Sequence, residues 1–210
     1  TIALFAARTG AIVQRLDPLL EHGSSDVTAL AADPQMRKLF LGDQHGLVCA
    51  FAVAHGRLVG TYERERSRRE VSFLRYVEAD DVLVAVVDRG LAVLDARVNG
   101  AARRANDLRL PTLRRMHDAH EQKISAVSVS RALSLIATAS PGRAVRVWDF
   151  QTLRLDDVCV GLTDDAIAIA LLEPYPVLLV ATADARLSFY GVRPLSASRP
   201  LSVVSAAWPP

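Results

Sequence analysis

One pattern recurs four times along this chain and limits its fold more than any other feature. A short apolar strand, a turn, a second apolar strand, a tight polar turn and a third strand follow one another over residues 26–53, 70–97, 123–150 and 165–192. Each segment is rich in Val, Ile, Leu and Ala and is punctuated by Gly, Asp or Pro where turns are needed. With Val27, Val71, Ile124 and Ile167 taken as equivalent, the spacings are 44, 53 and 43. Helical periodicity is not sustained across any of the four segments. Units of this size bury their apolar faces only by stacking on one another, and a period of about 40–45 residues with three or four strands per unit is that of a propeller blade.

The expected fold is therefore all-β: a β-propeller with about four full blades plus part of a preceding blade. The expected divisions are 1–20 for the last strands of that preceding blade, then 21–66, 67–116, 117–162 and 163–210 for the four repeats. Thr1–Ala6 and Ala11–Leu16, joined by Arg8-Thr9-Gly10, read as the preceding pair, and Arg57–Tyr62 as an outer, more polar fourth strand. Ala206–Pro210 reads as the start of a linker or the outer strand of the last blade. Gly46, Gly90 and Gly142 stand where tight hairpins need a positive φ. A seven-bladed ring at this period needs roughly 300 residues, so the chain is expected to be a fragment of a larger propeller, its end blades otherwise exposing unpaired edges.

Composition narrows the classes of function. Half the residues are apolar and 23% are charged, a globular balance, and the net charge of +2 sets up no field toward nucleic acid or membrane. The longest run without Asp, Glu, Lys or Arg is thirteen residues, too short to span a bilayer as a helix. Cys49 and Cys159 are the only thiols, which leaves no disulfide framework and no zinc site built from Cys alone. These features make an intracellular chain the expectation.

The third repeat carries a more specific signal. His120 precedes Ile124–Val129, Leu133–Ser140 follows, and Val147-Trp148-Asp149-Phe150 closes the unit. This resembles a WD-repeat of the Gβ-like propeller family. In that family a His before the first strand, a Ser or Thr on the second, an Asp in the next turn and the Trp form a hydrogen-bonded set. The resemblance assigns these structural places to His120, Thr138, Trp148 and the adjoining Asp149, with His22 and Asp43 as counterparts in the first repeat, where Phe51 replaces Trp. Ser140-Pro141-Gly142-Arg143 occupies the turn of the family's Asp, so the set is expected to be incomplete.

Longer phrases, KISAVSVSRALSLIATAS, VRVWDFQTLRLDDVCVG, LLEPYPVLLVATAD and DVTALAADPQMRKLFLGDQHG, are similar to cilia- and flagella-associated WD-repeat scaffold proteins. That resemblance implies a non-enzymatic protein–protein interaction scaffold docking in the ciliary or flagellar axoneme. It also implies protein partners, with axonemal complexes and tubulin nearby, a place in a large assembly, and location in cytoplasm, cytoskeleton and cilium. A WD-repeat adaptor for trafficking or substrate recruitment outside cilia is the alternative.

Signs of chemistry are sparse. His117 and His120 lack a Cys or carboxylate pair at metal-ligand spacing, and neither a G-x-S-x-G elbow nor a phosphate loop occurs. Asp80-Asp81, Asp156-Asp157 and Asp164-Asp165 fall in loops between expected strands. The expectation is no enzyme, no cofactor, no metal and no nucleic-acid or membrane partner. The 53-residue spacing implies an insertion of about ten residues between Arg97 and Lys123. From Arg97 to Arg115 it holds six Arg against one Asp, without interleaved aromatics. Arg103, Arg104, Arg109, Arg114 and Arg115 are therefore candidates for contact with an acidic partner surface.

Overall fold

The computed structural model describes residues 2–16, 25–64, 68–97, 109–192 and 201–205. Among them the fold is all-β, broken only by single 3-10 turns at Val53–His55 and Glu78–Asp80. No helix among these residues is long and apolar enough to cross a membrane.

A hairpin of β1 (Ile2–Phe5) and β2 (Ile12–Leu16) opens the chain. The first large sheet contains β3 (Val27–Ala32), β4 (Lys38–Asp43), β5 (Val48–Ala52) and β6 (Arg57–Tyr62), antiparallel in sequence order. The second contains β7 (Val71–Val77), β8 (Val82–Val87) and β9 (Gly90–Asp95). Then come β10 (Arg109–Leu110) and β11 (Thr112–Met116). The third sheet is β12 (Ala126–Ser130), β13 (Leu135–Ser140), β14 (Ala144–Asp149) and β15 (Leu155–Cys159). The fourth is β16 (Ala166–Leu171), β17 (Val177–Thr182), β18 (Arg186–Gly191) and β19 (Ser202–Ser205).

Only the end of the basic insertion, Arg109–Met116, falls among the described residues. Its described part is extended: β10 adds to β6 in parallel as a fifth strand, and β11 is the outer strand beside β9. Leu110 is buried, and Asp95 N–H donates to Pro111 O at 3.0 Å, so burial and backbone pairing hold this segment on the sheets. Residues 98–108, including Arg103 and Arg104, lie outside the described residues, as do His22 and Ala206–Pro210.

The hairpin glycines behave differently from one another. Gly46 and Gly142 carry the expected positive φ, 79° and 120°. At Asp88-Arg89-Gly90 it is Asp88 that takes φ 52°, a conformation the short Asp side chain tolerates, while Gly90 begins β9. Gly42 is needed for space, because an added Cβ would stand 2.5 Å from Val71 Cβ.

The chain divides into two compact units, Thr1–Val87 with Ala92–Leu113, and Asp88–Leu91 with Arg114–Pro210. In the first, β7 packs on β3 and β4, and Phe40, Val48, Ala50, Tyr62, Val71, Leu83 and Leu94 fill the core between sheets. In the second, β16 packs on β12 and β13 over Leu135, Ala137, Val145, Val147, Leu178, Val180 and Tyr190. Burying a Val, Leu or Phe of this kind stabilises a fold by about 1.5–3 kcal/mol, so the aliphatic faces hold the sheets together within each unit.

Register refines the alignment of the repeats. Val27 pairs with Asp43, Val71 with Val87 and Ala166 with Thr182, each followed by a one-residue bulge. Ala166, and not Ile167, therefore stands in the place of Val27 and Val71, and Ile167 occupies the bulge. An extra residue at a bulge flips every side chain that follows, and spacing alone does not reveal it.

Candidate functional site

The most organised polar cluster lies in the third sheet. Thr138, central in β13, stands opposite Arg146 of β14, and the Trp148 indole N–H donates to Thr138 Oγ1 at 2.7 Å. His120 Nε2 lies 2.7 Å from the same hydroxyl, and His120 Nδ1 lies 2.8 Å from Ser140 Oγ. The set expected to be incomplete is thus closed by Ser140, which fills the place expected of Asp. Either hydroxyl is able to donate or accept, so a neutral imidazole with one N–H and one bare nitrogen is satisfied at both ends. Burial, reinforced by the nearby Arg146 guanidinium, lowers the His120 pKa to about 4, so the ring is neutral at physiological pH. An indole N–H and an imidazole in a dry layer need such partners, and here each has one.

Asp149 stands apart from this set. Its Oδ1 accepts from Gln151 N–H, Thr152 N–H and the Thr152 hydroxyl, which closes the turn between β14 and β15. In the first sheet Asp43 is buried at the end of β4 and accepts from Ser25 Oγ, His45 N–H and Leu47 N–H at 2.8, 2.9 and 2.7 Å. Leu41 and Phe51 stand where the third sheet has Thr138 and Trp148, so that layer is apolar.

Other polar links carry no motif. Lys38, one of only two lysines, places Nζ 2.9 and 3.0 Å from the Asp81 carboxylate and 2.7 Å from Ala96 O. A compact ammonium with three donors suits three convergent acceptors better than a planar guanidinium does. Tyr76 O–H donates to Asp81 Oδ1 at 2.7 Å, and burial together with that carboxylate raises the phenol pKa. Burial opposes ionisation of Asp81 as well, but the bonds from Lys38 and Tyr76 outweigh it and hold its pKa below the usual value. In the fourth sheet Thr163 and Thr182 hydroxyls both donate to Asp184, an arrangement the sequence signals only through a Thr before the strand and an Asp in the hairpin.

Chain neighbours linked across sheets share a further device. The hydroxyl at the bulge of β3, Thr28, donates to Val71 O of the next sheet at 2.8 Å. At the same place before β12, Ser125 Oγ donates to Ala166 O at 3.1 Å.

The candidate arginines are divided. Arg109 is exposed on β10 in the first unit; Arg114 and Arg115 are half-buried on β11 in the second, where Arg114 Nη1 donates to Phe150 O at 3.4 Å. Arg131 stacks over the Phe150 ring at 5.8 Å. Burial and the nearby Asp157 push the Cys159 thiol up to about 12, which makes it an unreactive core residue. Among the described residues no group of three or more His, Cys, Asp or Glu is placed to hold a metal ion.

No family model matches the sequence, and no curated protein does. The fold does have solved counterparts. Over 92% of its length the chain superposes on 52% of the computationally designed Ika8 protein, with a TM-score of 0.70 and 18% identity. Over 96% it superposes on 57% of a chain of the mitotic checkpoint complex, with a TM-score of 0.72 and 15% identity. The designed Ika4 protein is matched over 95% of its own chain and 82% of this one, at a TM-score of 0.64 and 17% identity. The chain thus spans about half the length of the first two. At these identities the likeness concerns the fold, and with the sheets described above it identifies the chain as a partial β-propeller.

Proposed function

We propose that this chain is a rigid, non-enzymatic platform for protein–protein interaction that docks within a ciliary or flagellar axoneme. The observation that carries the scaffold reading is the closed set of buried hydrogen bonds in the third sheet. Buried polar groups such as those of His120, Thr138, Trp148 and Ser140 are matched with one another, leaving the connecting loops free to vary for recognition. A structural neighbour that belongs to a multi-protein complex supports protein partners. The ciliary address rests on the phrase-level resemblance of the first, third and fourth repeats to axonemal WD-repeat scaffolds. On this reading Arg103, Arg104 and Arg109 meet an acidic surface such as the exterior of tubulin, and Arg114 and Arg115 stiffen the strand that leads to it.

Two measurements test the reading. Mass spectrometry of detergent-stripped cilia, before and after a high-salt wash, is expected to find the protein retained on the axoneme. Recovery in the cytosol alone would favour the non-ciliary adaptor. In co-sedimentation with microtubules, Arg103→Glu/Arg104→Glu/Arg109→Glu is expected to weaken binding about tenfold or more, with unchanged folding. Unaltered binding would remove the arginine segment from the interface.

A further inference from the structure

We propose that β10 stands in for a partner. The outer edge of β6 and the seat of Leu110 form a docking site for an extended segment of another protein in which a bulky aliphatic residue precedes a proline. The chain's own Arg109-Leu110-Pro111 fills that site until it is displaced. Among the described residues the first sheet alone has a fifth strand, and that strand is foreign to it. β3 to β6 follow one another antiparallel, whereas β10 comes from the second repeat and joins in parallel, Arg109 beside Thr61 and Leu110 beside Tyr62. Parallel pairing does not arise from a tight hairpin, so β10 is a separate segment added to an existing edge.

The seat has the two parts that recognition of an extended segment needs. Backbone pairing along β6 attaches the segment whatever its sequence, and Asp95 N–H, at the end of β9, donates to Pro111 O at 3.0 Å. Tyr62 O–H donates to Asp95 O at 2.7 Å, so the receiving strands themselves fix that donor. Selectivity comes from Leu110, 5% exposed in the same core as Phe40, Tyr62, Leu83 and Leu94, where a polar residue would be buried without a partner. Pro111 brings no N–H in need of an acceptor and confines Leu110 to extended backbone, so a Leu-Pro segment arrives already shaped for the edge. The attachment is also short. Two residues pair, against five between β4 and β5, and one side chain anchors them, the kind of element that opens locally while the sheets stay folded. The 53-residue spacing of this repeat, against 44 and 43, supplies the extra chain that release requires.

Fluorescence polarisation with a labelled synthetic peptide of residues 107–113 tests the site on the 210-residue chain. Leu110→Ser, which empties the seat, is expected to bind the peptide about tenfold or more tightly than the unaltered chain, where β10 competes. Leu110→Ala is expected to fall between the two, and it carries the test should Leu110→Ser fail the check of folding by circular dichroism. A peptide whose own leucine at position 110 is replaced by serine is expected not to bind. Hydrogen exchange is expected to find the Asp95 amide faster in Leu110→Ser and slowed again by the peptide. Equal binding by the unaltered chain and the folded variants, binding that survives the serine peptide, or an Asp95 amide indifferent to both changes would each overturn the proposal.

Discussion

The third and fourth sheets share a topology and a register but hold themselves together by different chemistry. In the third, Thr138, His120, Trp148 and Ser140 place four polar side chains in the layer between strands, each matched with another. In the fourth, Val180 stands in the place of Thr138 and Tyr190 in that of Trp148. Tyr190 keeps one polar atom, whose O–H donates to Val160 O at 3.0 Å. One backbone arrangement thus carries a closed polar network in the third sheet and, in the fourth, an apolar centre of Leu178 and Val180 flanked by the buried Thr182 and Ser188 hydroxyls. A buried donor left without an acceptor in such a layer costs its full desolvation.

The sharpest way to break this contrast is to remove the hub. Thr138→Val leaves the Trp148 indole and the His120 ring without their shared hydroxyl, and urea unfolding is expected to show a loss of about 3 kcal/mol. Tyr190→Phe, its counterpart deletion in the fourth sheet, is expected to cost about 1 kcal/mol. Equal losses would mean that the network is no more than the sum of ordinary hydrogen bonds.

Acid separates the two sheets next. The His120 pKa is about 4 in the fold and near 6.5 in an unfolded chain, so the folded state disfavours the proton. Its contribution is fully present above about pH 6.5 and is lost as pH falls toward 4, amounting to about 3 kcal/mol. Stability curves of the native chain and of His120→Gln are expected to differ in slope in that window, and parallel curves would remove His120 as the titrating group. A smaller effect follows from Ser140→Asp, which sets a carboxylate against Nδ1. NMR titration is expected to place the His120 pKa about one unit higher, with the acid transition moving up accordingly.

The smallest effect concerns the hydroxyls that join sheets. Ser125→Ala is expected to cost about 1 kcal/mol, because Ala166 O loses a donor, whereas Ile167→Ser is expected to shift stability by less than about 0.5 kcal/mol. Comparable losses in the two variants would show that Ile167 is packed by its own chain, in conflict with its exposure.

Much of the fold was readable from the sequence because strand alternation and turn residues are local signals. Arg57–Tyr62 is β6 with the expected bounds, and the Thr1–Ala6 and Ala11–Leu16 pair contains the β1–β2 hairpin. The site was less readable. Sequence pattern marks His120, Thr138 and Trp148 but not Ser140, whose role depends on the distance to an imidazole twenty positions away. Lys38 and Asp81 lie 43 residues apart and meet only because their strands belong to adjacent sheets.

By itself, then, the sequence determined the strand content, the four-fold repeat and the residues that turn the chain, since each follows from side-chain chemistry within a few positions. Only the tertiary structure decided that Arg109–Met116 forms strands on two sheets, that a bulge puts Ile167 in the place of a hydroxyl, and that Ser140 completes the polar set. Those outcomes depend on which backbone groups remain unpaired once the sheets have packed, a condition that exists only in the folded molecule.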